Sequence, residues 1–456
     1  MTKLFGTDGI RGEAGKYPLN AETVQAIGRS LARHLAERKH GAPRIVIGRD
    51  TRESGPWMEE ALVNGTLQHD AEIHSAGIIT TPGIAFLART LQADAGVVIS
   101  ASHNPYQDNG IKVFEPSGRK LDDAMERLIE ADIADRSLSA DSNKLVKDAK
   151  GRADESADLK SRYFSYLVND VAQNLALSSF KMVVDCANGA AYEIAPRLFT
   201  ELGATVVTIN DKPDGQNINR DCGSLHIEGL QKLVQETRAD IGVAFDGDAD
   251  RALFVDEAGK FIDGDATMWA LANYLKKRGQ LKSDTVVATV MSNIGLEIAL
   301  RSEGIKLRRA NVGDKYVLEE LVRTGAALGG EQSGHLIFPG LSLAGDGMLT
   351  TISLLRVMRE EKMSLSELTR GMQRYPQLLV NVRVLEKRPF DELSEVQRVA
   401  REIEAELGDR GRLLLRYSGT EPLARVMIEG EDQTTIKAQA DRLAETIRRE
   451  LGAEKS

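Results

Sequence analysis

Three aspartates alternate with small residues in AFDGDADRALF, the segment from Ala244 to Phe254. The apolar run 241–245 predicts a strand, so the aspartates fall in the loop that follows it. Three carboxylates this close repel one another, and a hard divalent cation neutralises them most simply. Ligands that are all oxygen favour Mg²⁺ over zinc or copper. We therefore predict a magnesium site formed by Asp246, Asp248 and Asp250.

Two other interpretations of this acidic segment stay open. The three aspartates and Glu257 fall at ligand positions of an EF-hand calcium loop. However, Arg251 stands where that loop needs glycine, and the flanking segments are typical of strands, not of helices. A solvated acidic turn is the other alternative.

A second reactive segment is VVISASHNPYQDNGIKVF, which runs from Val97 to Phe114 and carries Ser102 at the end of a predicted strand. A serine-hydrolase nucleophile would need an elbow such as G-x-S-x-G, which this segment lacks. His103, its neighbour in sequence, is not expected to face Ser102 as a triad base does. A strand-end cap would leave the rest of the loop unexplained. We favour a serine that carries a phosphoryl group, because it also explains a metal loop and basic residues elsewhere.

The segment GGEQSGH, from Gly329 to His335, places Glu331 and Ser333 two residues apart between glycines. In an extended loop such side chains face the same way and can bind vicinal sugar hydroxyls. An ordinary glycine-rich turn is the alternative.

The segment RYSGTEPLAR combines a sharp-turn glycine with hydroxyl and guanidinium donors. Backbone N–H groups exposed by such a turn, together with arginine, bind phosphate bidentately. An ordinary turn is again the alternative. The candidate phosphate ligands are Arg416, Ser418, Gly419, Thr420 and Arg425.

The elements around these loops predict three related α/β domains. A helix from Asn20 to Arg38 carries one apolar stripe and has an Asn cap. The order strand, polar loop, helix, strand then occurs three times. Its strand pairs are RIVIG with AEIHSAGII, KMVVD with ATVVTI, and DTVVAT with IKLRRA. Ligands in such mostly parallel, mixed sheets gather where strand C-termini meet helix N-termini.

The C-terminal part predicts a smaller α+β domain with the order β-α-β-β-α. A polar stretch from Ser137 to Asp158 predicts the first linker, and the break from Glu361 to Ser366 predicts another hinge. The predicted domains are residues 1–150 with the serine loop, 151–255 with the metal loop, 256–366 with the sugar loop, and 367–456 with the phosphate loop.

Composition excludes several classes of protein. Of 456 residues, 42% are hydrophobic and 28% are charged, as in globular proteins, and a formal charge of −9 argues against nucleic-acid or anionic-membrane binding. No run approaches the roughly 20 apolar residues of a membrane span, and the N-terminus lacks a signal-peptide pattern. Two cysteines without metal-type spacing are typical of structural residues in a reducing compartment. We therefore expect a cytoplasmic protein.

Together the four loops resemble the α-D-phosphohexomutase family. Its signatures ISASHNP, DGDADR, GEQSGH and RYSGTEP occur here in family order over nearly the whole chain. The resemblance implies four domains around a central cleft and an enzyme that carries phosphate on Ser102. It further implies Mg²⁺ held by Ser102 and the three aspartates, sugar binding by Glu331 and Ser333, and phosphate binding by the RYSGTEPLAR loop.

The resemblance also implies roles for basic residues near the transfer centre, which is the place at Ser102 where the phosphoryl group would be transferred. Lys112 matches the family's basic residue in the serine loop and is a candidate proton shuttle, with a solvated surface lysine as the alternative. Arg11 and Arg251 match its other cationic side chains. His103 and His335 are further candidates.

Within the family, several segments are most similar to the branch that acts on glucosamine phosphates. These are FGTDGIRG, TVMSN, NVGDKYV and Gln332. This implies interconversion of glucosamine 6-phosphate and glucosamine 1-phosphate through glucosamine 1,6-bisphosphate, on the route to cell-wall precursors. Action on mannose or glucose phosphates and a non-catalytic sugar-phosphate sensor are the alternatives. A small phosphosugar is the implied substrate. The sequence does not decide the oligomeric state, for which a homodimer is one candidate.

Overall fold

The computed structural model describes residues 3–135, 149–418 and 421–452. The described chain forms two compact units. One consists of Met1–Val290 with Arg308–Thr369, and the other of Met291–Leu307 with Arg370–Ser456.

The first sheet carries the serine loop. Its strand order is β1-β2-β6-β5-β3-β4, with β3 parallel to β4 and β5, and β6 antiparallel to β5. All five residues of β5 are buried, and its carboxyl end leads directly to Ser102. The elements are β1 (Phe5–Gly6), β2 (Gly9–Glu13), α1 (Ala21–Lys39), β3 (Arg44–Arg49), α2 (Gly55–Thr66), β4 (Glu72–Ile78), α3 (Thr81–Thr90), β5 (Ala95–Ile99), β6 (Asp108–Phe114) and α4 (Asp123–Ala134).

The second sheet carries the aspartate loop. Its strand order is β11-β10-β9-β7-β8, with β7 parallel to β8 and β9, and β9 antiparallel to β10. The fully buried strands β9 and β10 leave only the loop 246–251 between them. The elements are α5 (Ala149–Tyr166), β7 (Lys181–Asp185), α6 (Ile194–Glu201), β8 (Thr205–Ile209), α7 (Glu228–Thr237), β9 (Ile241–Phe245), β10 (Ala252–Asp256) and β11 (Phe261–Ile262).

The third sheet carries the GGEQSGH loop in the turn between its last two strands. Its strand order is β13-β12-β14-β15, with β12 parallel to β14 and β14 antiparallel to β15. The elements are α8 (Gly264–Lys277), β12 (Thr285–Thr289), α9 (Ile294–Ser302), β13 (Lys306–Ala310), α10 (Asp314–Thr324), β14 (Leu328–Gly330), β15 (Leu336–Ile337), α11 (Gly347–Glu361) and α12 (Leu365–Thr369).

The fourth sheet is antiparallel and belongs to the second unit, with strand order β16-β18-β17. Two amphipathic helices pack on it around a core that includes Val396, Ile403, Leu443 and Ile447. The elements are β16 (Gln377–Arg383), α13 (Ser394–Leu407), β17 (Arg412–Tyr417), β18 (Leu423–Glu429) and α14 (Gln433–Leu451).

The predicted architecture is confirmed. The three repeats are β3-α2-β4, β7-α6-β8 and β12-α9-β13, and the C-terminal order is β-α-β-β-α. Helix α1 begins after Asn20, whose side chain accepts a hydrogen bond from Thr23 N at 3.0 Å.

The first predicted linker is wrong over part of its length. Residues 137–148 lie outside the described part of the chain, but residues 149–158 belong to helix α5. The helix docks where Ser156 Oγ donates to Ala76 O at 2.7 Å and where Leu159 and Tyr163 are buried. Leu159 and Tyr163 form only a narrow apolar stripe, so the polar composition of the segment concealed the helix.

Among the described residues, no helix is both long enough and apolar enough to cross a membrane.

Candidate functional site

Ser102 is fully buried and sits in a left-handed backbone conformation, with φ of 52°. Its Oγ donates a hydrogen bond to Asp246 Oδ2 at 2.5 Å. The serine loop and the aspartate loop, 144 residues apart in sequence, therefore meet at the hydroxyl that was predicted to carry a phosphoryl group.

His103 differs from its expected orientation. Its Nδ1 lies 3.3 Å from Ser102 Oγ, within hydrogen-bond distance, because the left-handed turn brings the neighbouring side chains together. Burial, followed by the charges of Arg251 and Arg11, lowers the pKa of His103 to about 4. The imidazole is thus a neutral hydrogen-bond partner of the serine at neutral pH.

The three predicted metal ligands are buried and converge. Oxygens of Asp246, Asp248 and Asp250 lie within 4.8 Å of one another. Asp248 Oδ1 and Asp250 Oδ1 are buried and accept no direct hydrogen bond from the described residues. Buried oxygens of this kind are costly unless a cation takes them, so the trio fits a hard divalent ion. The flanking elements β9 and β10 are strands, which excludes the EF-hand.

The pKa values of Asp246 and Asp250 are shifted in opposite directions. Burial, then the charges of Asp250 and Asp248, raises the pKa of Asp246 well above its usual range. Burial alone would also raise the pKa of Asp250, but Lys112 and His335 lower it well below its usual range. The fold thus compensates one carboxylate with its own cations and leaves another short of positive charge.

Lys112 is 1% exposed, so the alternative of a solvated surface lysine is wrong. Its Nζ lies 2.7 Å from Asp248 Oδ2, 3.3 Å from Asp250 Oδ2 and 3.2 Å from Asp8 Oδ2. Burial would lower the pKa of Lys112, but these carboxylates raise it well above its usual range. The ammonium contacts the Oδ2 atoms of the two metal-loop aspartates, whose Oδ1 atoms accept no hydrogen bond from the described residues.

The predicted arginines lie beside the same carboxylates. Arg251 N donates to Asp246 Oδ1 at 3.1 Å, and Arg251 Nε lies 3.8 Å from Asp250 Oδ1. Arg11 pairs with Asp8 and donates from Nη1 to Asn104 Oδ1 at 3.3 Å. Both guanidinium groups are held by protein carboxylates next to the transfer centre.

His335 joins the metal loop to a second acidic residue. Its Nδ1 lies 3.5 Å from Asp250 Oδ1, and its Nε2 lies 3.7 Å from Asp314 Oδ2. Burial would lower the pKa of His335, but Asp250 and Asp314 raise it to about 9. The ring is therefore a buried cation at neutral pH.

A cavity of about 410 Å³ gathers most of the predicted residues of the first unit. Glu331 faces it and accepts a hydrogen bond from Gly313 N at 3.0 Å, while Ser333 Oγ donates to Glu331 Oε2 at 3.3 Å. This size suits a sugar phosphate. Its functional lining is Asp8, Arg11, His103, Asp250, Arg251, Gly313, Asp314, Glu331 and His335.

The GGEQSGH loop is locked to its neighbours through glycine contacts. Gly264 N donates to Gln332 O at 2.9 Å, and a Cβ on Gly264 would lie 2.1 Å from Glu331 O. Gly334 has φ of 92°, and a Cβ there would lie 2.4 Å from Ala252 O. The loop is therefore held in one position by the chain on either side of it.

The phosphate-loop candidates lie in the second unit. Arg416 on β17 is directly opposite Arg425 on β18. Arg425 donates to Ser418 Oγ at 3.3 Å and to Glu421 Oε2 at 3.1 Å. Like charges directly opposite in a sheet are destabilising, and an anion between them removes that cost. Gly419 and Thr420 lie outside the described residues.

The sequence reasoning missed several polar residues of the site. Asp8 compensates Arg11, Lys112 and Lys120, and Asp314 pairs with Lys120 at 2.7 Å. Asp8 lies in FGTDGIRG and Asp314 lies in NVGDKYV. The acidic residue in each segment is the feature from which a role in the site could have been predicted. A second missed group surrounds the main chain of the serine loop: Asp50, Arg52, Ser100 and Asn219.

Comparison with known protein families gives matches along the whole chain. Four family models described as phosphoglucomutase/phosphomannomutase are matched. They are alpha/beta/alpha domain I at residues 2–139, domain II at 161–259, domain III at 263–375 and the C-terminal domain at 379–446.

Individual relatives agree with these matches. A phosphoglucosamine mutase of Solibacter usitatus is 49% identical, over 98% of this chain and 99% of the relative. One from Syntrophotalea carbinolica is 48% identical, over 99% and 98%. A solved phosphoglucomutase/phosphomannomutase family protein from Burkholderia thailandensis shares the fold, with a TM-score of 0.77 at 23% identity, covering 98% of this chain and 97% of that chain.

Proposed function

Because the chain belongs to the phosphoglucomutase/phosphomannomutase family, we propose that it interconverts glucosamine 6-phosphate and glucosamine 1-phosphate. The sugar follows from the full-length relatives, which are phosphoglucosamine mutases. One observation carries the chemistry: Ser102 Oγ contacts Asp246 in a buried trio, two of whose carboxylate oxygens accept no hydrogen bond from the part of the chain that the structure describes.

The reaction conserves phosphate. In the first step the bond between Ser102 Oγ and phosphorus breaks and a bond from phosphorus to a sugar hydroxyl oxygen forms. The hydroxyl proton passes to a base of the site, and Ser102 Oγ takes up a proton. The resulting glucosamine 1,6-bisphosphate reverses its orientation in the site. Its other phosphoryl group then returns to Ser102, and the sugar oxygen regains a proton. The bisphosphate is both an intermediate and the agent that phosphorylates resting enzyme.

Mg²⁺ is the ion that suits these ligands. Asp246, Asp248, Asp250 and a phosphoryl oxygen on Ser102 would hold it, and it would neutralise charge on the transferred group.

The chain's own residues provide the remaining charge and proton acceptors. Asp246, whose pKa is raised, contacts Ser102 Oγ and is placed to take its proton when the phosphoryl group returns, while the neutral His103 orients the hydroxyl by a hydrogen bond. Arg11 and Arg251 line the cavity and stabilise the phosphoryl group. Lys112 is a cation in this structure and we assign it charge compensation; its role as proton shuttle stays a prediction.

Substrate binding divides between two kinds of loop. We assign sugar hydroxyls to Glu331, which lines the cavity together with His335, and to Ser333, which donates to Glu331. The phosphate that is not being transferred is assigned to the second unit, where Arg416 and Arg425 are paired across two strands. The full predicted set there is Arg416, Ser418, Gly419, Thr420 and Arg425.

Intact-mass measurement after incubation with glucose 1,6-bisphosphate tests the proposal. We expect a fraction one phosphate heavier, which is absent from Ser102→Ala, together with a loss of turnover of at least about 10⁴-fold. Excess chelator should also abolish turnover. Undiminished isomerisation by Ser102→Ala would overturn the phosphoserine mechanism, and a non-catalytic sensor would show no turnover in the unmutated protein.

Turnover on three sugars tests the substrate. We expect glucosamine 6-phosphate to be preferred over the glucose and mannose phosphates, and a strong preference for mannose would overturn the sugar assignment. Domain boundaries at residues 150, 255 and 366, a cytoplasmic location and a homodimer stay predictions.

A further inference from the structure

Arg52 is a fully buried arginine whose five N–H donors all have acceptors. Its Nε donates to Asp50 Oδ2 at 2.9 Å. The other four donors reach main-chain carbonyls of one loop. These are Ser102 O at 3.0 Å, Asn104 O at 2.9 Å, Asp108 O at 3.0 Å and Pro105 O.

Asp50 is linked to the main-chain N–H of Ser102 through the hydroxyl of Ser100. Ser100 Oγ donates to Asp50 Oδ2 at 2.6 Å and accepts from Ser102 N at 2.9 Å. Asp50 Oδ1 also accepts from Arg52 N at 3.0 Å. The main-chain N–H and C=O of Ser102 are therefore both held by the pair of Asp50 and Arg52, one of them through Ser100.

Asn219, from the chain segment that follows β8, holds the same loop from another side. Its Nδ2 donates to Ser102 O at 2.8 Å and to Asn104 O at 3.0 Å, so both amide hydrogens are used. Gly247 of the metal loop packs against the same carbonyl, where a Cβ would lie 2.5 Å from Ser102 O. The serine loop is thus fixed by contacts from two sheets.

These contacts hold a conformation that serine does not prefer. A non-glycine residue with φ of 52° is strained and persists only where its surroundings determine it. Among the described residues, the side-chain hydrogen bonds of Arg52 and Asn219 go to main-chain carbonyls or to Asp50. Neither residue lines the cavity, so their contribution is orientation rather than substrate binding.

We propose that Arg52, assisted by Asn219, is a positioning residue that holds the main chain of Ser102 so that its Oγ faces the metal loop for phosphoryl transfer. The proposal rests on the function proposed above. Displacement of a reacting atom by about 1 Å costs on the order of 100-fold in rate, which sets the expected effect.

Two variants test this role. Arg52→Lys keeps the positive charge but has three donors instead of five. Asn219→Asp keeps the shape and the tolerance for its left-handed backbone, with φ of 58°, but removes both donors. Arg356→Lys is the matched control, because Arg356 also donates to main-chain carbonyls, Val171 O at 2.8 Å and Gln173 O at 3.1 Å, away from the site.

In Arg52→Lys we expect kcat and the rate of Ser102 phosphorylation by glucose 1,6-bisphosphate to fall about 100-fold, with KM changed less than threefold. Asn219→Asp should show the same pattern with a smaller fall. The control should keep kcat within twofold. Folded variants with unchanged kcat, or a rise in KM that accounts for the loss, would overturn the proposal.

A readout that does not depend on turnover separates this proposal from the proposed function. Hydrogen exchange of the amides from Ser102 to Asp108 should be at least tenfold faster in Arg52→Lys and unchanged in Arg356→Lys. If Ser102→Ala retains activity while this exchange is faster, the phosphoserine function fails but the structural effect of Arg52 stands. If exchange is unchanged, the positioning role is wrong whatever the activity.

Discussion

The transfer centre and the phosphate loop differ in how deeply their charged groups are buried and in how those charges are compensated by the protein. At the transfer centre, Ser102, Lys112 and the three aspartates are all buried, and cations of the protein contact the carboxylates at 2.7–3.3 Å. In the phosphate loop, Arg416 and Arg425 are partly exposed and lie opposite each other. The carboxylate that pairs with Arg425 is that of the exposed Glu421.

The difference indicates which part of the site is organised before substrate arrives. Buried groups with several partners have lost their freedom during folding, so the transfer centre meets the phosphoryl group preorganised. Under the proposed function, the two facing arginines are stabilised by the incoming anion. This suits a reaction in which one position performs chemistry and another accepts either end of a bisphosphate.

Removal of one carboxylate charge should separate activity from stability at the transfer centre. For Asp246→Asn we expect turnover to fall about 10³-fold, because a ligand of the metal loop is lost. Thermal unfolding in chelator should not become easier, because the raised pKa of Asp246 shows that its ionised form is unfavourable in the metal-free fold. Turnover within tenfold of the unmutated protein, or a marked fall in Tm, would contradict this assignment.

A charge-conserving change in the phosphate loop should affect binding instead. For Arg425→Lys we expect KM to rise about 10- to 100-fold with a smaller change in kcat, since charge-assisted hydrogen bonds contribute about 1.5–3 kcal/mol. Steady-state kinetics gives both values. Arg442→Lys, on the exposed face of α14 and paired with Glu406, is the control. A fall in kcat at constant KM would show that the two regions do not divide the work in this way.

Ligand binding should order the two regions unequally. With glucose 1,6-bisphosphate, hydrogen exchange of amides in residues 412–417 should slow by about tenfold, equivalent to about 1.4 kcal/mol. Amides in residues 97–102 should change less than twofold, because β5 is buried and paired on both sides, whereas β17 lies at the edge of its sheet. Equal protection of both segments would remove the distinction.

The smallest effect on turnover is expected at Asp346, a buried carboxyl of the first unit that belongs neither to the transfer centre nor to the phosphate loop. Tyr163 donates to Asp346 Oδ2 at 2.7 Å, and burial raises the pKa of Asp346 to about 6. The folded protein therefore binds this proton more tightly than the unfolded chain. The resulting stability, up to about 3 kcal/mol, is present below about pH 4 and is lost as pH rises through about 6.

Asp346→Asn tests this pH dependence. The variant should gain Tm relative to the unmutated protein at pH 8 by more than at pH 5, while turnover changes less than twofold. Differential scanning calorimetry at the two pH values measures the difference. An equal Tm difference at both pH values would show that Asp346 does not titrate as described.

The sequence predicted the loops better than the contacts between them. The repeats, the C-terminal α+β unit and the aspartate trio follow from periodicity and composition, because these signals are local. Arg52 and Asn219 act on Ser102 from 50 and 117 residues away. Nothing in RDTRESG or NINRDCGS indicates that partner, so their role required the fold.

Local sequence patterns also did not indicate that Lys112 is buried or that His103 contacts Ser102. Lys112 follows Asn109-Gly110, a pair typical of exposed turns, yet it is an interior cation. His103 is adjacent to Ser102, and the left-handed backbone that brings them together is not encoded by residue type alone. Conversely, RYSGTEPLAR indicated phosphate binding but not the facing of its two arginines, which depends on strand register.

The close contacts of the GGEQSGH loop have a consequence for how this scaffold can diversify. Gly264 and Gly334 leave no room for even one methyl group between the loop and the chain on either side of it. An inserted residue would displace Glu331 and, through Ala252, the end of the metal loop as well. New sugar preferences should therefore arise by exchange of side chains at constant loop length, whereas insertions are expected at surface connections where backbone contacts are few.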